Sequence, residues 1–223
     1  MILSIDTCGA TGSIALGSWD GEAVSILAQT EIAGKTFCAE LVPRVRAILE
    51  AHSASVSDLL TIVVASGPGS FTGIRIGVSS AKGLAEALQI PVIALSRLAI
   101  LAGKGKADAA ALDAGRGEFY FGHYENGASS DHSNGAAIEE LLTAEEVHLR
   151  AADRIAVCEE PLLLLWPQAH STRPPDAADA LLFAIPRLRA GEYDDVTVLD
   201  GNYVRRSDAE LFSKPKLQTT LHL

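Results

Sequence analysis

Two aspartates stand where chemistry would be placed. Asp6 closes the apolar segment 2–5 and precedes the turn Thr-Cys-Gly-Ala-Thr-Gly, and Asp113 closes an alanine-rich segment and precedes Ala-Gly-Arg-Gly. A carboxylate at a strand end, before a glycine-rich turn, can hold a divalent cation and its water beside a phosphate. The same residue can instead cap its own turn by accepting a backbone N–H two residues on. A third candidate is the loop Gly67-Pro-Gly-Ser-Phe-Thr-Gly73, which joins a β-branched run at 61–65 to a helical segment. Free N–H groups at a helix start, with the helix dipole behind them, suit a phosphate. Glycines also supply the unusual φ angles of a tight strand-to-helix turn. A phosphate loop of the GxxxxGK[ST] type carries Lys after its last glycine, whereas Ile74 and Arg75 follow Gly73. The structural reading is therefore favoured here.

The other reactive residue types form no site. None of His52, His123, His132, His148, His170 and His222 pairs at helical i, i+4 spacing, and no HExxH motif occurs, so no metal site is expected. Ser70 sits in Pro-Gly-Ser-Phe-Thr and not in a GxSxG elbow. Cys8, Cys38 and Cys158 are odd in number, widely spaced and without a CxxC pair, which argues for a reducing compartment. No catalytic residue is assigned.

The elements that would position Asp6 and Asp113 repeat. Residues 2–5, 13–17 and 23–28 alternate with turns as a β-meander. A helix is expected over about 38–51, with Pro43 starting or bending it, and another over 72–88, with strands at 61–65 and 91–96. Residues 103–106, Gly-Lys-Gly-Lys, read as a linker. After them the pattern of strand, Asp, small turn and strand restarts, giving a second strand at 118–124. Two such units imply a duplicated α/β core with lobes 1–103 and 104–223. Thr143-Ala-Glu-Glu146 is a capping box. Residues 176–190 read as one amphipathic helix carrying Pro186, 196–199 as a strand, Ser207 to Glu210 as a last helix cap, and the tail from Lys214 as loose.

Within the 72–88 helix, Gly73, Gly77, Ala81 and Ala85 recur every fourth position and form a stripe of little bulk. Such a stripe lets another surface approach closely. Spacing alone divides evenly between the chain's own sheet and a partner helix.

Composition limits the partners. The chain has 223 residues, 48% hydrophobic and 21% charged, with a net charge of −10. That is enough apolar material for a real core. It is also too acidic to grip tRNA or an anionic membrane by itself. The first residues lack the basic region of a signal peptide. The longest apolar run, between Pro161 and Pro167, is far below a membrane span. A cytoplasmic protein is expected.

Four segments resemble one family. SIDTCGATGSIAL is similar to its Ile-Asp-Thr-Ser start, ASGPGSFTGIRIGVSSAKGLAEALQIPVIALS to its hallmark stretch, LDAGRGEFYFGHY to its Asp-Ala-Arg-x-Gly-Glu-Val-Tyr stretch, and YVRRS to its terminal Tyr-Leu-Arg. The family is TsaB (YeaZ), relatives of the TsaD glycoprotease-like proteins. The likeness covers residues 1 to about 125 well and the remainder weakly.

The resemblance implies a two-lobe actin-like (ASKHA, RNase H-like) fold. It implies a non-catalytic scaffold in the synthesis of tRNA threonylcarbamoyladenosine. Such a subunit binds a TsaD-type transferase, is joined by a TsaE-type ATPase, and forms a homodimer when alone. It has no cofactor of its own; ATP and a metal belong to the partner proteins, and tRNA is met through the complex. The family contact is made by the first two helices, which implies an interface of Leu41, Val45, Ile48, Gly73, Gly77, Ala81 and Ala85. Phe37 stands at the usual His place, and Val157-Cys-Glu-Glu-Pro161 replaces a Gly-Asp-Gly-Ala stretch. The alternative is an actin-like ATPase or small-molecule kinase using Asp6 and Asp113. Such enzymes carry a Gly-Gly adenosine loop, and this chain has no Gly-Gly pair.

Overall fold

The computed structural model of the chain describes residues 1–124, 128, 137–151 and 154–204. The Ser207–Glu210 cap and the tail from Lys214 lie outside them.

Two five-stranded sheets share one topology. The first runs β3-β2-β1-β4-β5, from β1 (Ile2–Asp6), β2 (Thr11–Trp19), β3 (Val24–Ala33), β4 (Thr61–Gly67) and β5 (Val92–Ser96). The second runs β8-β7-β6-β9-β10, from β6 (Ala109–Gly115), β7 (Glu118–Tyr124), β8 (Ala137–Thr143), β9 (Ile155–Val157) and β10 (His170–Ser171). In each sheet the central strand pairs antiparallel on one side and parallel on the other. Strand β1 thus corresponds to β6, and Asp6 to Asp113. The loose repeat in the sequence is a true duplication of the strand core. Strands β1 and β4 are buried throughout, which is why they read as unbroken apolar runs.

Helices cover both faces of the first sheet. On one lie α1 (Phe37–Glu50) and α2 (Phe71–Leu88), closing a core with Leu3, Ile5, Ile62 and Val64. Pro43 sits inside α1 and does not end it. On the other lie α6 (Ala177–Phe183) and α7 (Ile185–Ala190), packed on Ile2, Ala15, Val63 and Ile93. The single helix expected over 176–190 is these two, broken before Pro186, with the Asp176 carboxylate accepting from Asp179 N at 2.9 Å as N-cap.

Two expectations are corrected. Residues 103–106 are no linker, because α3 (Arg97–Gly105) runs through them, capped by Ser96 and packed between the second sheet and α6. The glycines there permit close packing, with Gly105 against Ala156 and Gly103 against Phe183. Residues 196–199 form a turn and not a strand, held by the Asp195 carboxylate accepting from Thr197 N and Oγ1. The Thr143–Glu146 capping box does form, at the start of α4 (Ala144–Ala151). Helix α5 (Glu160–Leu165) packs with α4 on Phe119, Phe121 and Val157.

A carboxylate ties the lobes together. Glu139 on β8 accepts from Tyr124 Oη at 2.7 Å, from Ser96 Oγ, and from Asn202 Nδ2. Asn202 N also donates to Ser66 O at 2.7 Å, so the 194–203 segment is pinned across the end of the first sheet.

Candidate functional site

Asp113 opens onto a cleft between the sheets with a volume of about 770 Å³, and Asp6 lies buried behind the wall that Cys8 and Arg97 form. The walls of the cleft are the β1–β2 turn, the start of α2, the start of α3 and the β6–β7 turn, and Asp113 and Glu159 line it. Each aspartate caps its own turn. Asp6 Oδ1 accepts from Cys8 N at 2.8 Å, and Asp113 Oδ1 accepts from Gly115 N at 2.7 Å. The duplicated strand end therefore makes the same local bond twice.

Beyond that bond the two differ. Asp6 is buried, and its second oxygen faces Arg97 Nε at 3.6 Å. Asp113 is exposed, and its backbone N–H donates to Glu159 Oε2 at 3.0 Å. Burial pushes the Glu159 carboxyl above its usual range, and the charge of Asp113 adds to this. Among the described residues no three His, Cys, Asp or Glu side chains converge to hold a metal.

Sequence reasoning missed Arg97 and Glu159. Arg97 lies at the β5–α3 junction and Glu159 before α5. Nothing local in either stretch marks it as a partner of a strand-end aspartate elsewhere in the chain.

Cys8 sits beneath this floor, its Sγ donating to Ala65 O at 3.3 Å. Burial, then the neighbouring Asp6 carboxylate, pushes its thiol well up. Burial, then Glu159, pushes half-buried Cys158 up to about 11. Cys38 is exposed. Since the thiolate is the reactive form, iodoacetamide at pH 8 should label Cys38 first, Cys158 slowly, and Cys8 only on unfolding. Mass spectrometry of the labelled peptides checks the order. Cys8 reacting as fast as Cys38 would mean the Asp6 turn opens freely.

The small-residue stripe has its own place. Gly73, Gly77, Ala81 and Ala85 are buried on the inward side of α2. A Cβ on Gly73 would run into the Thr7 carbonyl oxygen, and one on Gly77 into Thr7 Oγ1. Thr7 Oγ1 in turn donates to Gly73 O at 2.6 Å. The stripe therefore seats α2 on the turn that follows Asp6. Leu41, Val45 and Ile48 are likewise buried in the core beneath α1. All seven of these residues are thus buried within the chain's own fold.

What α1 and α2 present outward is different. Val42 is 60% exposed and Val56, in the 3₁₀ turn Val56–Asp58, is 44% exposed. Together with Leu84 and the edges of Val45 and Leu49 they line an apolar groove of about 330 Å³.

The comparisons with known proteins agree with this architecture. Residues 25–135 match the family model described as TsaD, tRNA N6-adenosine threonylcarbamoyltransferase. The tRNA threonylcarbamoyladenosine biosynthesis protein TsaB of Bacillus subtilis is 36% identical over 171 residues, 74% of this chain and 69% of that protein. The chain belongs to the TsaB family. The Escherichia coli TsaB protein is 35% identical over 67% of this chain and 65% of its own length, so the matched stretch spans about two thirds of either relative. A solved Pseudomonas aeruginosa YeaZ structure aligns with TM-score 0.73 at 28% identity, covering 91% of this chain and 98% of that one. A second, described as similar to peptidase YeaZ, aligns equally well at 29% identity over 92% and 99%. Membership fixes the two-lobe actin-like fold, and the shared strand order of the two sheets is its duplicated core. Both curated relatives are named as tRNA threonylcarbamoyladenosine biosynthesis proteins. Among the described residues no helix is long and apolar enough to cross a membrane.

Proposed function

We propose that this chain is a non-catalytic scaffold subunit in tRNA threonylcarbamoyladenosine synthesis, binding and stabilising a TsaD-type transferase. The observation that supports docking is the exposed apolar groove of Val42, Val56 and Leu84 beside α1 and α2. The same groove serves a homodimer when the transferase is absent, so the two assemblies compete. A TsaE-type ATPase joins the pair. With a net charge of −10 the chain meets tRNA through the complex and not by its own phosphate contacts. ATP and the catalytic metal reside on the partners, and the setting is the cytoplasm.

The alternative, an ATPase or small-molecule kinase using Asp6 and Asp113, asks those carboxylates to manage a cation and water. Asp6 is instead engaged by Cys8 N and faces Arg97, while Asp113 is engaged by Gly115 N. An ATP hydrolysis assay on the isolated chain separates the readings. The scaffold reading expects no phosphate release above a buffer control. Release that disappears in Asp6→Asn would establish the enzyme.

A further inference from the structure

We propose that residues 194–203 form a releasable strap that locks the two sheets in one relative placement, with Glu139 as its latch. Apart from an isolated bridge at Asp194 the segment has no helix or strand, and none of its residues is fully buried. Its hold is mostly polar. At one end Asp194 N donates to Val92 O at 2.9 Å, and the Asp194 carboxylate accepts from Ala94 N at 2.7 Å and meets Arg187 Nη2 at 3.1 Å. These bonds cover the outer edge of β5, the last strand of its sheet. Midway, Lys82 Nζ donates to Leu199 O at 2.8 Å. At the far end Asn202 N donates to Ser66 O at 2.7 Å, and Asn202 Nδ2 donates to Glu139 Oε2. Apolar contact is limited to the partly buried Val196, Leu199 and Tyr203. A segment with little buried apolar surface opens locally, at a lower free energy than global unfolding.

Glu139 couples that opening to the junction of the sheets. Its Oε1 accepts from Tyr124 Oη at 2.7 Å and from Ser96 Oγ, while its Oε2 accepts from Asn202. Ser96 ends β5 in the first sheet, and Tyr124 and Glu139 lie on β7 and β8 of the second. One carboxylate thus joins three separate parts of the chain. Ser96 Oγ is also the N-cap of α3, accepting from Leu98 N at 3.2 Å and Ala99 N at 3.3 Å. A hydroxyl has one proton, so donating it to Glu139 turns the oxygen lone pairs toward the helix. Releasing Asn202 frees the carboxylate to turn and disturbs a helix start two hydrogen bonds away. The lock is independent of the groove at Val42, Val56 and Leu84, so the strap can open whether or not a transferase docks there.

The test is amide hydrogen exchange of the full chain, followed residue by residue by NMR. In the unaltered chain the Asp194 and Asn202 amides should exchange faster than those of Val63 and Val64 in the buried β4. Asn202→Ala should speed the Asp194 amide about tenfold, the worth of roughly one hydrogen bond, and speed Leu98 and Ala99 by a smaller factor. Glu139→Ala should do the same, and the double variant should speed Leu98 and Ala99 no more than Glu139→Ala alone. Should Asn202→Ala fail to fold, Lys82→Met, which frees Leu199 O, makes the same comparison. Strap amides as slow as β4 in the unaltered chain would remove the strap. Strap amides that quicken while Leu98 and Ala99 do not, additive effects in the double variant, or uniform quickening of every amide would remove the latch.

Discussion

Replacing Gly73 by alanine should destabilise the chain by about 3 kcal/mol, the upper end of what overpacking a core typically costs. The added Cβ meets the carbonyl oxygen of Thr7, a backbone atom that cannot turn aside. Relief requires α2 to lift from β1, which breaks the Thr7 Oγ1 to Gly73 O bond and loosens Ile74, Val78 and Ala81 in the core. For a chain of this size that loss lowers Tm by about 6–12 °C. Gly83 on the same helix is the control. It is exposed with nothing within 4 Å of an added Cβ, so Gly83→Ala should stabilise by about 0.5–1 kcal/mol through helix propensity. Urea denaturation of the two variants measures both. If Gly73→Ala were as stable as Gly83→Ala, the stripe would not face the chain's own sheet.

The second large effect concerns the outward face. Val42→Glu with Val56→Glu should weaken binding of a TsaD-type transferase about 100-fold, or about 2.7 kcal/mol, because the charges enter the apolar centre of the contact. Stability should change little, since both side chains stand largely in water already. Titration calorimetry against the transferase reads the affinity, and a thermal melt confirms the fold. The same pair should dissolve the homodimer. Unchanged affinity with an intact fold would place the contact elsewhere on the molecule.

The first prediction turns on what the small-residue stripe of α2 faces, and that is where sequence reading reached its limit. The spacing of Gly73, Gly77, Ala81 and Ala85 marks a close approach, and the approach is real. Periodicity describes a helix face and is silent on which neighbour lies against it. The neighbour is Thr7, brought there because β1 and β4 pair in parallel. The buried strands were legible because each reads as a continuous apolar run, and the duplication because Asp6 and Asp113 stand at or near the ends of equivalent strands. Helix α3 was not legible, because the glycines at 103 and 105 resemble a linker until Phe183 and Ala156 are seen against them. The same holds at the cleft. Asp6 and Asp113 could be found from their turns, but Arg97 acquires meaning only when the β5–α3 junction arrives beside the end of β1.

The central claim is that this chain supplies a docking surface and leaves the chemistry to its partner. Sedimentation velocity of the chain mixed with a TsaD-type transferase from the same organism, paired with a threonylcarbamoyl-transfer assay on each component, tests it most directly. A mixed complex replacing the homodimer, with transfer by the complex and none by this chain alone, is the expected result. Failure of the two to associate, or transfer catalysed by this chain without the transferase, would contradict it.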